Sequence, residues 1–255
     1  DDAEKALREW KPEIVWAEYD LGVHNGLDLY AIQRGNFSNR LNSTFILLSE
    51  QYSPALASRA TDLDADALII RPFNYDTLQS KFVDVISWKI NPSEFLRKIE
   101  EGKAYLFEKN YKKAKEALQE ARKLDAKPVL AACYEGLAAR GSGHVEDAEK
   151  LLELAIEWNP KHFRSLCALF EVKMDLKSYE AAYAIGQRLL KEFPLSPKYF
   201  AIIVWLSVYN KRFQDTLALH EVFLKLQSED EELVGAIAAG LIVSGKSLLK
   251  EGTFS

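Results

Sequence analysis

From residue 93 onward, apolar and small residues fall at helical spacing and return every 34 residues. Tyr111, Val145, Tyr179 and Phe213 form one series, and Ala114, Ala148, Ala182 and Thr216 a second. Ala121, Ala155, Leu189 and Phe223 form a third, and Ala126, Pro160, Pro194 and Ser228 a fourth. Gly102, Gly136, Phe170 and Val204 stand at a fifth position with the same step. Each period predicts a helical hairpin whose apolar stripe cannot be buried alone, so neighbouring hairpins must stack. The small positions allow helices to approach closely, and the aromatic of the Tyr111 series plugs the gap where the hairpin turns. The register sets repeats at residues 95–128, 129–162, 163–196 and 197–230, with a partial fifth that starts but does not finish before Ser255.

The first 90 residues carry a different pattern. Ala3 to Trp10 reads as a helix, Glu13 to Glu18 (EIVWAE) as a strand and Gly26 to Arg34 as a helix. Thr44 to Ser49 (TFILLS) is a buried strand, Pro54 to Thr61 a helix, Ala67 to Ile70 (ALII) a strand and Tyr75 to Trp88 an amphipathic helix. Short apolar strands alternating with helices predict a parallel sheet covered on both faces. Asn91 and Pro92 break the pattern, and Ser93 is placed to cap the next helix. The expected fold is therefore a partial parallel α/β layer over residues 1–90, followed by an all-α solenoid over 93–255.

Composition narrows the function classes. A net charge of -5 gives no electrostatic reason to expect nucleic acid. The thiols of Cys133 and Cys167 lack a metal-ligand spacing; they stand at one repeat position and suit equivalent small sites in a reducing, cytoplasmic setting. The longest apolar run, Leu233 to Val243, is too short to span a bilayer, and no membrane partner is expected. His24, His144, His162 and His220 are scattered, and Gly141-Ser142-Gly143 belongs to an inter-helix turn rather than a phosphate loop. Glu100-Glu101 reads as a solvated carboxylate pair. No catalytic residue, metal or cofactor is expected.

The 34-residue period, with a small residue in each helix and proline at the end, resembles the tetratricopeptide family. That resemblance implies protein or peptide binding along the face lined by the first helix of each hairpin. Carried onto this register, it selects Lys103, Leu106 and Phe107, then Cys133, Leu137 and Arg140, then Arg164, Cys167, Glu171 and Met174, and last Lys198, Ala201, Trp205 and Tyr209. Trp205 and Tyr209, one helical turn apart, suit anchors for a partner segment; their apolar context (AIIVWLSVYN) favours core burial for both. Arg140, Arg164 and Lys198 form either a basic strip for a partner's carboxylates or ordinary solvated charge. The apolar helix from Glu232 to Val243 is expected to pack on further repeats beyond Ser255 or on a second copy of the chain, with burial against the fourth repeat as the alternative.

Residues 2 to 88 resemble a response-regulator receiver domain whose early part is missing. EYDLGVHNGLDL (Glu18 to Leu29) resembles that family's phosphoacceptor loop, including the Gly26-Leu27 pair opening the next helix. Ser49 stands at its Ser/Thr position, and Arg71-Pro72-Phe73 matches its Lys-Pro-Phe. The departures imply lost chemistry. Glu18 replaces the phosphoacceptor aspartate and reaches one methylene further, and Arg71 replaces a compact lysine. Leu68 stands where many receivers carry an aromatic switch residue. Asp20 alone makes a poor magnesium site, and the first strand with its acidic pair is expected upstream unless the chain is an excised fragment. A Glu18–Arg71 ion pair would hold the cleft in one state; otherwise both residues merely occupy a vacated site. The expectation is a non-catalytic bacterial signalling adaptor, a pseudo-receiver fused to a tetratricopeptide scaffold. The alternatives are a phosphorylation-responsive two-component regulator and a structural assembly subunit.

Overall fold

The strand runs at 14–18, 44–49 and 67–70 and the helical stretches at 2–10, 26–36 and 75–90 fold as their periods demand. In a computed structural model, which describes residues 2–21, 24–52, 56–57, 60, 64–192, 197–226 and 231–251, the chain opens with α1 (Asp2–Trp10) and β1 (Ile14–Glu18), a short β2–β3 ribbon (Asp20–Leu21 and His24–Asn25) and α2 (Gly26–Asn36). A 3₁₀ turn at Arg40–Asn42 precedes β4 (Thr44–Ser49) and β5 (Ala67–Ile70). Most of the helix expected over Pro54–Thr61 lies outside the described residues; Leu56, Ala57 and Ala60 are helical. The small β2–β3 ribbon and the 3₁₀ turn were not legible, being too short to carry a period.

The sheet is parallel, in the order β1-β4-β5. Its central strand is the uninterrupted apolar run, as a strand covered on both faces requires; Phe45, Ile46 and Leu47 are fully buried. Phe45, Leu47, Ala17, Leu27 and Tyr30 make up the core on one face. The register pairs Glu18 with Leu48 and Ser49 with Ile70, so Glu18, Ser49 and the Arg71 that follows β5 gather at the carboxyl ends of the strands. Among the described residues β1 is an edge strand, and Ile14 and Trp16 on it are exposed.

Gly26 is dictated by a close approach. A β-carbon there would lie 2.3 Å from the Glu18 carbonyl oxygen and 2.9 Å from Leu47 Cδ1. Asn25 caps the helix that follows, accepting the Leu27 N–H, while Asp28 accepts the Asn25 N–H.

After α3 (Tyr75–Ile90) the chain is helical throughout the described residues: α4 (Glu94–Phe107), α5 (Tyr111–Arg122), α6 (Val129–Gly141), α7 (Val145–Trp158), α8 (Phe163–Asp175), α9 (Tyr179–Glu192), α10 (Pro197–Tyr209), α11 (Phe213–Leu226) and α12 (Glu231–Glu251). Ser93 caps α4 as expected, its hydroxyl accepting the Leu96 N–H. Every member of the Ala114 series is fully buried, as are Ala121, Ala155 and Leu189. The turns repeat the period as well. Lys109, Gly143, Lys177 and Lys211, 34 residues apart, all have positive φ, at 58°, 85°, 57° and 57°. The N–H after each reaches back five residues, Asn110 to Tyr105, His144 to Ala139, Ser178 to Lys173 and Arg212 to Ser207. This is one hydrogen-bonded helix stop used four times.

The described residues fall into two compact units, Asp1–Ser165 and Leu166–Ser255. The change from mixed to helical structure at Asn91 lies within the first. In the second, α12 is one helix running beyond the Val243 end expected for it. It packs on α10 and α11 through Leu233, Ile237, Gly240, Ser244 and Leu248. The buried hydroxyls of Ser207, Thr216 and Ser244 bond in series across that contact. The opposite face leaves Val234, Ile242, Val243 and Leu249 exposed. By length and composition Leu233–Lys250 could cross a membrane, so the apolar stretch is longer than the run expected to fall short.

Candidate functional sites

At the carboxyl end of the sheet, Arg71 Nη2 donates to Glu18 Oε1. The sequence-expected ion pair is formed. The Arg71 guanidinium also lies 5.8 Å from the Phe73 ring centre. Ser49 is turned into its own loop: its hydroxyl donates to the Gln51 carbonyl at 2.9 Å and accepts the Gln51 N–H at 3.3 Å. Asp20 is exposed on β2. The geometry therefore joins Glu18 with Arg71 and gives Ser49 separate partners. What it can do chemically is hold a carboxylate neutralised by a cation at the strand ends, where open α/β sheets place their ligands.

A second site lies wholly within the first unit, where the α/β layer meets the first two helical hairpins. Tyr30, Ala31 and Arg34 of α2, Lys103, Leu106 and Phe107 of α4, Tyr134 and Leu137 of α6, together with Asp64 and Arg164, line a cleft of about 380 Å³. Beneath it runs a buried ion cluster. Asp64 lies 3.2 Å from Lys103, and 3.7 Å from both Arg40 and Arg164. Arg40 bonds Asp66 at 2.7 Å and lies 3.4 Å from Glu100; Lys89 reaches Asp66 at 2.8 Å and Lys103 reaches Glu100 at 2.8 Å. The Tyr134 hydroxyl donates to the Asp64 carboxylate, and the Tyr30 hydroxyl to the Asp64 carbonyl. Burial alone would raise the Asp64 pKa, but Lys103, Arg164 and Arg40 outweigh it and hold the carboxyl below its ordinary value. Burial lowers the Lys103 pKa, with Arg40 adding to the effect.

This cluster corrects two expectations. Lys103 does not stand open on a groove: it is 6% exposed, held between Glu100, Asp64 and the Tyr134 ring. Glu100 is not on a solvated face; it is buried beneath Arg40, and only its neighbour Glu101 makes the surface pair, with Lys98. Both errors have one cause. The α/β layer covers the first hairpin, and a repeat register cannot see what another layer supplies. Phe107 stays half-exposed at the mouth of the cleft, with Arg34 5.2 Å from its ring centre. Arg140 is half-buried on α6, and Arg164 lies 5.6 Å from the Tyr134 ring centre. Asp64, Tyr134, Arg34 and Tyr30 carried no sequence signal, since their meeting depends on contacts distant along the chain.

In the second unit, Trp205 and Tyr209 are 46% and 55% exposed, against the core burial their apolar context favours. The helix turns its aliphatic residues Ile203, Val204 and Leu206 inward instead. The two rings stack at 5.0 Å, and Tyr179 meets both edge-on at 5.3 and 4.6 Å. Glu171 accepts from the Tyr199 hydroxyl at 2.9 Å. Lys198 lies in the first turn of α10, and its side chain is outside the described ones. Both cysteines are free and buried, and burial pushes the Cys133 thiol up to about 11. Among the described residues no group of three His, Cys, Asp or Glu is arranged to hold a metal ion.

No family model and no curated protein matches the chain. A solved structure of a tetratricopeptide repeat protein from Parabacteroides merdae ATCC 43184 is similar to it at 12% identity and a TM-score of 0.42, over 86% of this chain and 76% of that one.

Proposed function

We propose that the protein is a non-catalytic signalling adaptor of the cytoplasm, in which a receiver-like layer without phosphoryl chemistry is joined to a hairpin-repeat scaffold that binds protein partners. The observation that carries the binding role is the aromatic cluster formed by the exposed Trp205 and Tyr209 with the half-buried Tyr179. Three contiguous rings on a rigid helical face supply apolar area with few side-chain torsions to freeze, which is how binding hot spots are built. The loss of phosphoryl chemistry is supported by Glu18: its carboxylate is engaged by Arg71, and a neutralised carboxylate is a poor nucleophile. Two buried free thiols suit a reducing compartment.

Two measurements test this reading. Incubation with acetyl phosphate and Mg²⁺, followed by intact-mass and peptide analysis, should leave the protein unlabelled; phosphate on Asp20 or Glu18 would establish the phosphorylation-responsive alternative. Quantitative capture of partners by the wild-type protein and by Trp205→Ala should differ for the specific partner. Equal recovery with both would remove the aromatic cluster from the binding surface.

A further inference from the structure

We propose that the outward face of α12 is a self-association surface, on which α12 of a second copy of the chain lies antiparallel about a two-fold axis. This goes beyond the adaptor reading and does not depend on it. The helix stops of the hairpins come at Lys109, Gly143, Lys177 and Lys211, and the same step leads next to Gly245. No turn forms there. α12 runs through Gly245 to Glu251, 21 residues long against 13 in each of α6, α8 and α10. A stop folds the chain back so that the second helix of a hairpin covers the first, as α5 covers α4 and α7 covers α6. Without a turn at Gly245, the rest of α12 prolongs the apolar face instead of returning to cover it. Val234, Ile242, Val243 and Leu249 are 44%, 57%, 45% and 68% exposed on it.

That face has two unlike halves. Helical spacing sets Gly235, Ala238, Ala239, Ile242, Lys246 and Leu249 on one exposed stripe, opposite the buried Ile237, Gly240 and Ser244. The first half is small and begins at the exposed Glu231; the second is bulky and carries the exposed Lys246 and Lys250. A two-fold axis between Gly240 and Leu241 brings the halves together. Ala239 then faces the partner's Ile242, Ala238 the partner's Val243, Gly235 the partner's Lys246 and Glu231 the partner's Lys250, and each meeting occurs twice. Large meets small, as Leu118 meets Gly102 within the repeats, and acid meets base. Close packing favours the first and Coulomb attraction the second. A parallel pair would set each Glu231 beside the other and leave voids between the alanines. Antiparallel helices also bring opposite macrodipole ends together, and a two-fold contact closes at two copies.

A bilayer is the competing cover, since Leu233–Lys250 is long and apolar enough to cross one. The structure favours a protein helix. The inner face of α12 is fixed on α10 and α11, where the Ser244 hydroxyl donates to Thr216 at 3.0 Å. Lys246 stands on the midline of the outer face, whereas helices that lie on membranes carry their cations on the polar side. A face of 21 residues, about 31 Å long at roughly 1.5 Å per residue, makes a single helix pair. Such a pair stands at the low end of specific interfaces, so the dimer is reversible and dissociates in the micromolar range.

The test is analytical ultracentrifugation of the full chain from roughly 1 to 200 μM, a range that brackets micromolar dissociation. Wild type should pass from monomer to dimer and stop there. Ile242→Glu should weaken the dimer about tenfold or more while keeping the wild-type melting temperature within a few degrees, because the side chain is exposed. Glu231→Lys and Lys250→Glu should each weaken it severalfold at low salt. The double variant should regain wild-type association, because exchanging both charges restores pairs of opposite sign. Trp205→Ala should dimerise as wild type does, which keeps this result separate from the partner-capture test. A chain that stays monomeric, a dimer indifferent to Ile242→Glu, or a double charge variant no better than the single ones would each overturn the proposal. So would a monomer that sediments with phosphatidylcholine–phosphatidylglycerol vesicles and is released from them by Ile242→Glu, which would assign the face to a membrane.

Discussion

Leu152 on α7 packs over Gly136 on α6, where an added β-carbon would come within 2.8 Å of its Cγ. The preceding repeat does the same with Leu118 over Gly102, at 2.5 Å. One repeat later the partners are exchanged: Phe170 stands in the place of glycine, and a β-carbon added at Gly186 would lie 3.2 Å from its Cε2 and 2.7 Å from Ile203 Cγ1. One large and one minimal residue therefore meet in each case, and either helix can supply the large one. Close packing makes the sum of volumes the constrained quantity.

Gly136→Ala should accordingly destabilise the protein by about 1–3 kcal/mol, the usual cost of overpacking a filled site. Leu152 is fully buried and cannot swing aside. Gly235→Ala is the control. Nothing lies within 4 Å of a β-carbon there, and the residue is exposed in the first turns of α12. It should stabilise by up to about 1 kcal/mol through helix propensity. Urea unfolding of the two variants should move the midpoint in opposite directions.

Gly26→Ala should be at least as costly as Gly136→Ala, because the obstacle is backbone: the Glu18 carbonyl at 2.3 Å belongs to a paired strand. A loss of about 2–3 kcal/mol is expected, read by thermal unfolding. A substitution without effect would mean that the β1–α2 connection relaxes more freely than its hydrogen bond from Gly26 N–H to the Tyr19 carbonyl at 2.9 Å implies.

These two glycines show which parts of the fold were legible. The 34-residue period fixed the hairpins, their turns and the small-residue contacts, because each repeat solves the same packing problem with its neighbour. Strands 14–18, 44–49 and 67–70 were legible for a different reason: apolar runs bounded by turn residues have few other solutions in a parallel sheet. The Glu18–Arg71 pair could be read because both positions carry the receiver resemblance. The ion cluster could not. Asp64, Arg40, Lys89, Glu100 and Arg164 come from five segments with no shared period, and Glu100 looks like any helical surface carboxylate until the α/β layer covers it. The outward turn of Trp205 was hidden too, since α10 is apolar on nearly every face and its sequence does not say which side will be covered.

Asp64→Asn should lower stability by about 3 kcal/mol near neutral pH, since it removes the carboxylate shared by Lys103, Arg164 and Arg40. The sign with pH follows from its depressed pKa. A carboxyl with a lower folded than unfolded pKa binds more protons when unfolded, so its stabilisation is complete above the unfolded value of about 4. It is lost as pH falls from there through the folded value. The gap between wild type and Asp64→Asn should therefore be flat from pH 6 to 8 and narrow below about pH 4. Unfolding curves across that range check it; a gap that widens in acid would contradict the assigned charge state.

The Glu18–Arg71 pair should contribute much less. Its side chains are 34% and 45% exposed, and exposed ion pairs add roughly 0–1 kcal/mol because water and salt screen them. Glu18→Gln should change stability by less than about 1 kcal/mol, with a smaller effect at high salt. The contrast with Asp64→Asn separates a pair that sets the charge of an open cleft from a cluster that holds two layers together.

The lysines at the hairpin turns provide a test of the repeat register itself. Lys177 adopts φ 57°, a left-handed conformation that costs an L-residue about 1–2 kcal/mol and glycine almost nothing. Glycine gains more chain entropy on unfolding, which offsets roughly 0.5–1 kcal/mol. The net for Lys177→Gly is a stabilisation of up to about 1 kcal/mol, and the same holds for Lys109→Gly and Lys211→Gly because the turn is the same. Gly143 already has the favoured residue at φ 85°, so Gly143→Lys should lose about what the others gain. Thermal melts of the four variants should show three increases and one decrease. A decrease in Lys177→Gly with an increase in Gly143→Lys would mean that the lysine side chains themselves, rather than the backbone, hold these turns.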